Sequence, residues 1–218
     1  MREVIDLSIG VDDGTPTYPG DPQPRLCAAS TIADSGFNVL RVDIGSHTGT
    51  HVDAPYHFLE SGARIDELPL ERFVGPGAVV DVSHLGPRQP ILWQDIERHA
   101  DGFEDGVIVL LRTGWSRFLH SPRYFAHPFL DADACEEVLA RGVRAIGIDA
   151  MSLDATPTGA VERDAFPCHD SISRAGGVIV ENLANLAAVD FPEPLVSVLP
   201  LRLVGGDGAP TRAVAMRL

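Results

Sequence analysis

Residues 47–57 read His-Thr-Gly-Thr-His-Val-Asp-Ala-Pro-Tyr-His, and this segment holds three of the eight histidines in the chain of 218 residues. A glycine lies between His47 and His51, and Pro55 follows them, so an extended chain is favoured over a helix. Alternate side chains of an extended chain point the same way, which places positions 47, 51, 53 and 57 on one face.

A straight strand does not bring these side chains close enough to share an ion. Four steps of about 3.3 Å separate His47 from His51 by about 13 Å. The chain must therefore bend between them, and Gly45 and Gly49 are the positions where a β-bulge is expected.

The side chains of this segment are typical metal ligands. Two imidazoles and a carboxylate suit Zn²⁺, or Mn²⁺ when more oxygen ligands join. Three protein ligands leave a position for water, as in catalytic rather than structural zinc sites. The alternative is a surface loop with solvated histidines. Three histidines and an aspartate on the same face of the segment, next to glycines that allow it to bend, favour a metal site.

Composition narrows the class of protein. The chain is 44% hydrophobic and 22% charged, which predicts one folded domain over residues 1–218. Its formal net charge of −14 repels phosphate backbones, so we expect no nucleic-acid partner. All 17 basic residues are Arg, and without Lys neither a Schiff base nor a P-loop lysine is available.

The sequence also predicts the compartment. Its apolar runs are far shorter than the roughly 20 residues of a membrane helix. The first residues are charged, unlike a signal peptide. Cys27, Cys135 and Cys168 lack metal-type spacing and are expected to be reduced thiols. We therefore expect a cytoplasmic protein with a small-molecule substrate and no membrane partner.

Short β-branched runs bounded by Gly, Pro, Asp and Ser predict a strand-rich α/β or α+β domain. Two long loops, Thr15–Pro24 and Leu153–Pro167, are expected to border a pocket. The predicted strands are Glu3–Ile9, Val39–Ile44, Ala78–Val82, Val107–Arg112, Val143–Ile148, Val178–Glu181, Leu195–Val204 and Arg212–Leu218.

Fewer helices are predicted. The clearest is Ala132–Arg141, with Asp131 as its N-cap and Gly142 just after its end. Two more are expected over Leu92–His99 and Leu68–Phe73.

Three segments carry a family resemblance. Residues 47–57 match all seven specified positions of the signature His-x-Gly-Thr-His-x-Asp-x-Pro-x-His. Thr-Tyr-Pro-Gly-Asp at 17–21 resembles a Trp-Pro-Gly-Asp loop, and residues 147–154 resemble a Gly-Ile-Asp-x-x-Ser-x-Asp segment. His169 precedes Glu181 by twelve residues, the spacing of two further ligands. The chain thus resembles the metal-dependent cyclase/hydrolase family, best known through bacterial kynurenine formamidases.

The resemblance implies an α/β fold of the swivelling β/β/α type, in which flanking helices cover a mixed sheet with a barrel-like core. It also implies a homodimer or higher homo-oligomer with pockets near the subunit interface.

The same resemblance implies a site for one or two Zn²⁺ ions, with Mn²⁺ as the other candidate. His47, His51 and Asp53 would hold the first ion. Asp53 would bridge to a second ion held by His169 and Glu181. Spacing alone does not distinguish these last two residues from structural ones.

Within this resemblance His57 would be the general acid/base, because imidazole titrates near the operating pH. The expected substrate is a small aromatic amide, with N-formylkynurenine as the first candidate. Tyr18 stands where the formamidases have a Trp that binds substrate, which leaves open hydrolysis of a cyclic amide or lactone, or a cyclisation. A non-catalytic metal-binding protein is a further alternative.

Other polar groups are expected to be structural. Asp149, Ser152 and Asp154 are expected to fix a loop. The Gly-Gly-Asp-Gly segment at 205–208 lacks the spacing of a nucleotide-binding loop and predicts a turn. Cys168 adjoins His169, but a buried thiol is a better interpretation than a nucleophile.

Overall fold

The computed structural model describes residues 3–157 and 166–218. Its strands are β1 (Glu3–Asp6), β2 (Arg25–Ser30), β3 (Val39–Asp43), β4 (His51–Asp53), β5 (Val74–Asp81), β6 (Pro90–Ile91), β7 (Ile108–Arg112), β8 (Phe129–Leu130), β9 (Ala145–Ile148), β10 (Val178–Glu181), β11 (Leu195–Ser197), β12 (Gly208–Pro210) and β13 (Val214–Arg217). Its α-helices are α1 (Ile32–Ser35), α2 (Trp93–Ile96), α3 (Ala132–Ala140) and α4 (Pro167–Arg174). Short 3₁₀ helices cover Pro55–His57, Leu70–Arg72, Glu97–Gly102, Trp115–Phe118, Pro122–Ala126 and Leu186–Ala188.

Nine strands form one mixed sheet in the order β1-β13-β11-β5-β7-β9-β10-β4-β12. The four central strands β5, β7, β9 and β10 are parallel, and the strands on either side of them pair antiparallel. The central strands are nearly continuous runs of Val, Ile and Leu, as expected for strands buried on both faces. β2 and β3 form a separate two-stranded sheet.

Each face of the large sheet packs against its own core. Val109 and Leu111 of β7 face a core completed by α3 and α4, whereas Ile108 and Leu110 face a second core. That second core receives side chains from β11 and β13 near one edge and from β4 and β12 at the other. Strands from opposite edges meet only if the sheet curls, so the sheet is a half-barrel and the expected fold class is confirmed.

The predicted elements match the structure best where burial is continuous. Seven of the eight predicted strands, β1, β3, β5, β7, β9, β10 and β13, lie within about two to four residues of their expected bounds. Helix α3 begins after Asp131, whose carboxylate accepts hydrogen bonds from two backbone amides of the first turn. Gly142 follows its end with a φ of 93°, so the predicted caps of this helix are confirmed.

Other elements differ from expectation. Leu195–Val204 was expected to be one strand, but only Leu195–Ser197 is extended in the sheet. The helix predicted over Leu68–Phe73 is a single 3₁₀ turn. The elements that were not predicted include β2, α1 and α4. The predicted loop Leu153–Pro167 lies partly outside the described residues, since positions 158–165 are not described.

The remaining structural expectations concern thiols and membranes. All three cysteines are free, and Cys135 and Cys168 are buried whereas Cys27 is exposed. Over the described residues, no helix combines the length and the apolar character that a bilayer crossing requires.

Candidate metal centre and substrate pocket

Strand β4 provides the central part of the site. It lies between β10 and β12, and its middle residue Val52 points into the second core. His51 and Asp53 therefore project together from the opposite face, as strand alternation requires. Both side chains are buried, and His51 Nε2 lies 3.2 Å from Asp53 Oδ1.

A turn before β4 brings His47 back to the same place. Gly49 has a φ of 70°, a left-handed conformation that suits glycine. The bend lets His47 Nδ1 approach Asp53 Oδ1 to 2.7 Å. The expected kink therefore lies at Gly49, whereas Gly45 has no positive φ.

His57 follows β4 in the short helix that Pro55 begins. Its ring packs on that of His47, with the ring centroids 4.0 Å apart. The His57 side chain is 29% exposed, in contrast to the buried ring of His51. His57 is thus the histidine of this segment that is most open to the cavity.

The two distant ligand candidates enter from α4 and β10. His169 Nε2 lies 3.3 Å from Glu181 Oε1 and 3.5 Å from Asp53 Oδ2. Glu181 lies opposite His51 in the β10–β4 register, with its Oε2 3.7 Å from His51 Nε2. The structure therefore brings all five predicted ligand residues into one cluster.

Hydrogen bonds outside the cluster orient its histidines. The Gly49 carbonyl lies 2.8 Å from His51 Nδ1 and can only accept, so this nitrogen donates and Nε2 faces the cluster. Asp154 accepts from His169 Nδ1 at 2.6 Å and from the amides of Cys168 and His169. Asp154 therefore fixes the start of α4 and one ligand ring, which extends its expected loop-fixing role.

The sequence analysis missed Asp207. Its Oδ2 lies 3.0 Å from His47 Nε2 and 3.4 Å from His57 Nδ1. The only sequence signal is an acidic residue between glycines, in the segment interpreted as a turn.

The residues present fit a metal ion. Among the described residues there are two sets of three side chains whose potential donor atoms lie within 4.8 Å of one another inside each set. Both sets contain Asp53: the first adds His47 and His57, and the second adds His51 and Glu181. Asp53 Oδ2 is buried and, among the described residues, has no hydrogen-bond partner. A buried carboxylate oxygen needs a partner, and a cation between the two sets would provide one.

Electrostatics support the same interpretation. Burial alone would lower the pKa of His47, but the carboxylates of Asp53 and Asp207 raise it to about 10. Burial opposes ionisation of Asp53, yet the nearby rings of His47, His51 and His169 hold its pKa well below the usual range. The carboxylates thus require compensating positive charge, which is the condition for binding a cation.

A cavity of about 170 Å³ opens onto the cluster. One wall is aromatic: the ring centroid of Phe166 lies 5.3 Å from that of Phe58 and 6.1 Å from that of Tyr18. The loop Thr15–Pro24 contributes Tyr18 and Asp21 to the lining, so it borders the pocket as expected. Burial raises the pKa of Tyr18 to about 12.

Two alternative sites find no support in the geometry. Cys168 is buried with its Sγ 3.3 Å from the Leu130 carbonyl, and a hydrogen bond with Cys135 and burial raise its pKa. The Asp149 carboxylate accepts from the Thr113 hydroxyl and from the amides of Thr113 and Gly114. Cys168 is a packed thiol, and Asp149 fixes a loop.

The fold and the site together define a class: mixed α/β proteins whose curled sheet carries a buried histidine–carboxylate cluster suited to a metal ion. The chain belongs to the cyclase family. The family model described as "Putative cyclase" matches residues 5–155. The resemblance based on the His-rich signature is thereby confirmed.

Relatives match along nearly the whole chain. Kynurenine formamidase from Geobacillus thermodenitrificans is 33% identical, over 100% of this chain and 99% of the relative. Isatin hydrolase A from Labrenzia aggregata, solved with benzyl benzoate bound, has a TM-score of 0.87 at 26% identity, covering 98% and 93%. A structure from Bacillus stearothermophilus, described as a predicted metal-dependent hydrolase, has a TM-score of 0.76 at 30% identity, covering 98% and 97%.

Proposed function

We propose that the protein is a metal-dependent amidohydrolase that cleaves the C–N bond of a small aromatic amide, with N-formylkynurenine as the first candidate substrate. The observation that carries this proposal is the convergence of five ligand candidates, four of which line one cavity together with His57 and an aromatic wall, while Asp53 is buried among them. The similarity to a kynurenine formamidase supports the substrate class.

The metal would be Zn²⁺ or Mn²⁺, one or two ions per chain, held by His47, His51, Asp53, His169 and Glu181. A divalent cation bound there would make water nucleophilic near neutral pH and would polarise the acyl oxygen of the substrate. Asp53 belongs to both donor sets, which supports its proposed bridging role.

The aromatic wall would bind and orient the substrate. The faces of Tyr18, Phe58 and Phe166 offer apolar contact to a flat ring. A ring held against this wall directs its amide group toward the histidine cluster and displaces water from the apolar side.

His57 would move the proton. Its partly exposed ring can accept a proton from the attacking water and return it to the amine nitrogen as the C–N bond breaks. Formic acid and the free amine then leave, and the formic acid releases its proton to solvent, which leaves His57 as it began. Asp207, beside His57 Nδ1, would hold the ring in place during this transfer.

We also propose a homodimer or higher homo-oligomer. The hairpin of β2 and β3 pairs only with itself in the described structure, and all five residues of β3 are exposed. Phe37 and Leu40 are 56% and 58% exposed. An isolated two-stranded hairpin is marginally stable, so a second copy of the chain is the proposed cover. Light scattering of Leu40→Asp would show a shift to monomer.

We further propose that residues 1–218 form one domain that works in the cytoplasm on a small molecule. Pairing of β1 with β13 joins the first and last strands in one sheet, which supports a single domain. Three free thiols are typical of a reducing compartment.

The second candidate is hydrolysis of a cyclic amide or lactone at the same site. The similarity to isatin hydrolase A favours it, as does Tyr18, which is smaller and more polar than the Trp expected there. A panel of formanilide, isatin and lactones separates these reactions.

The test is elemental metal analysis of protein purified without added metal or chelator, with formanilide hydrolysis measured on the same sample. We expect one or two ions per chain, and turnover that chelation abolishes and zinc or manganese restores. His57→Asn should lower kcat by about 10²–10⁴-fold while the metal content stays unchanged. The exposed histidine His120, changed to Asn, is the matched control.

Two results would contradict the proposal. Protein without metal, and without activity after adding zinc or manganese, would exclude a metal-dependent hydrolase. Metal with no turnover of any panel member would favour the non-catalytic metal-binding alternative.

A further inference from the structure

The segment at residues 205–208 is anchored at each of its residues. The Gly205 amide donates to Asp66 Oδ1 at 2.9 Å, and the Gly206 carbonyl accepts from the Ile65 amide at 3.0 Å. The Asp207 carbonyl accepts from the Ala54 amide at 2.9 Å.

Gly208 begins β12, which pairs with β4 directly opposite Asp53. The turn is therefore held against the strand that carries the site.

This turn is shaped around the ring of His47. A Cβ at Gly208 would lie 2.8 Å from His47 Cε1 and 2.7 Å from the Val52 carbonyl oxygen. Neither distance is compatible with a side chain in place. The glycine thus lets the turn approach His47 closely and brings the neighbouring Asp207 to the ring's outer edge.

The Asp207 carboxylate contacts two histidines at once. Its Oδ2 is 3.0 Å from His47 Nε2 and 3.4 Å from His57 Nδ1. A carboxylate that is ionised only accepts hydrogen bonds, so the histidine nitrogens that face it must donate. With Nε2 donating to Asp207, the opposite nitrogen Nδ1, 2.7 Å from Asp53 Oδ1, would be the His47 atom that offers its lone pair to a cation bound beside Asp53.

This geometry also separates Asp207 from the ligand set. Asp53 lies at Nδ1 of the His47 ring and Asp207 at Nε2. A single imidazole presents these two nitrogens in diverging directions, so an ion bound beside Asp53 through Nδ1 is not within reach of Asp207. Asp207 is also 38% exposed, unlike the buried carboxylates of the cluster.

We propose that Asp207 is a positioning residue that sets the tautomer and orientation of His47 as a metal ligand and of His57 as the proton-transfer group. This inference rests on the proposed function for its effect on turnover. Its effect on His47 concerns metal affinity alone. A carboxylate behind a ligating histidine raises the basicity of the ligand, and its loss costs about 10–100-fold in affinity or activity.

The experiment compares Asp207→Ala, Asp207→Asn and Asp66→Asn in the full-length protein. Asp66 holds the same turn but contacts the Gly205 amide instead of the histidines, so Asp66→Asn controls for the loss of a carboxylate charge from this turn. Zn²⁺ affinity is measured by competition with a chromophoric chelator, and kcat and KM are measured with formanilide at saturating zinc. Thermal melts of the zinc-free variants check folding.

For Asp207→Ala we expect Zn²⁺ affinity and kcat each lower by about 10–100-fold, with KM unchanged and the full zinc stoichiometry retained at saturation. Asp207→Asn keeps an accepting oxygen and should recover part of both losses. Asp66→Asn should match the wild type in affinity and kcat.

Three results would overturn the proposal. Asp207→Ala could match Asp66→Asn in affinity and kcat, which would make Asp207 a bystander. It could lose one equivalent of zinc even at saturation, which would make Asp207 a ligand. It could raise KM alone, which would make it a substrate contact. If the wild type does not hydrolyse formanilide, the proposed function fails, while the zinc affinities still decide the role of Asp207 toward His47.

Discussion

The metal site, meaning the candidate ligands, His57 and the carboxylates that orient them, has two halves that are built differently. The contiguous half, residues 47–57, supplies three histidines and Asp53 from one segment. The assembled half draws Asp154, His169, Glu181 and Asp207 from four separate places in the chain. Local bends suffice to gather the first half. The second half exists only because β10 and β12 flank β4.

The difference shows what strand register contributes to a site. Glu181 lies opposite His51, and Gly208 lies opposite Asp53. A register slip of one residue would turn either strand's side chains to the other face. The positions of Glu181 and Asp207 therefore depend on the pairing of β4 with its two neighbours. Burial of Val52 and Val180 in the second core stabilises this pairing.

The largest effect is expected where the two halves meet. Asp53 contacts His47 and His51 in the contiguous half and His169 in the assembled half. Asp53→Asn keeps the volume but removes the charge that both donor sets share. Several kcal/mol of transition-state stabilisation depend on the metal, so we expect about a 10³-fold or greater loss of kcat/KM.

Elemental analysis of Asp53→Asn should show reduced metal content together with the kinetic loss. Asp170→Asn is the control, because Asp170 is an exposed aspartate of α4 that pairs with Arg174. Full metal content and near-normal activity in Asp53→Asn would show that the halves function independently of the residue between them.

The second effect tests the bend on which the contiguous half depends. Gly49 has a φ of 70°, and a Cβ there would lie 2.7 Å from Val11 Cγ2. We expect Gly49→Ala to lower the free energy of unfolding by about 3 kcal/mol, from backbone strain of about 1–2 kcal/mol and overpacking of about 1–3 kcal/mol. Denaturant titration measures this loss.

Gly36 offers a matched control for that variant. Its φ is 78°, but a Cβ there would meet no described atom within 4 Å. Gly36→Ala should therefore show only the strain of about 1–2 kcal/mol. Equal losses in the two variants would mean that Val11 moves aside for the added Cβ without a free-energy cost, so that packing against Val11 does not restrict this bend.

How much of the site the sequence predicts follows the same division. One segment carries all the signals that identify the contiguous half: side chains at alternate positions, glycines where the chain can bend, and residue types that bind metals. These signals identify His47, His51, Asp53 and His57. His169 and Glu181 needed the family resemblance, since nothing local distinguishes them from structural residues. Asp207 could not be identified, because its role depends on the pairing of β12 with β4.

The fold divides in a similar way. The central strands such as β7 were predictable because both faces are buried and the sequence is continuously apolar. Helix α4 could not be predicted from a local N-cap residue. The side chain that accepts from its first turn is Asp154, which lies fourteen residues before Cys168 in the chain. Pro167 at its first position was the available signal. β4 is only three residues long and gains its pairing from tertiary contacts.

The third prediction addresses the assembled half alone. Asp154 accepts three hydrogen bonds at the start of α4, one from His169 Nδ1. Asp154→Asn places an amide nitrogen against these donors and removes the charge behind the ligand. We expect metal affinity to fall by about 10–100-fold, as for other outer-shell changes. Chelator competition measures it.

Asp170→Asn again serves as the control, since Asp170 lies on the same helix with its side chain about half exposed. If two ions bind, the loss in Asp154→Asn should be confined to the ion that His169 would hold, because Asp154 contacts His169 and none of the ligands in residues 47–57. An equal loss at both ions would contradict the division between the halves.

The smallest effect is expected at the aromatic wall. The Tyr18 hydroxyl is buried without a hydrogen-bond partner among the described residues, and because burial raises its pKa to about 12 it stays protonated near neutral pH. A bound substrate that accepts from it would gain about 0.5–1.5 kcal/mol. Tyr18→Phe should therefore raise the KM for formanilide or isatin by about two- to tenfold with kcat unchanged. An unchanged KM together with a higher melting temperature would contradict this role, because removing an unsatisfied buried hydroxyl stabilises the fold without affecting recognition.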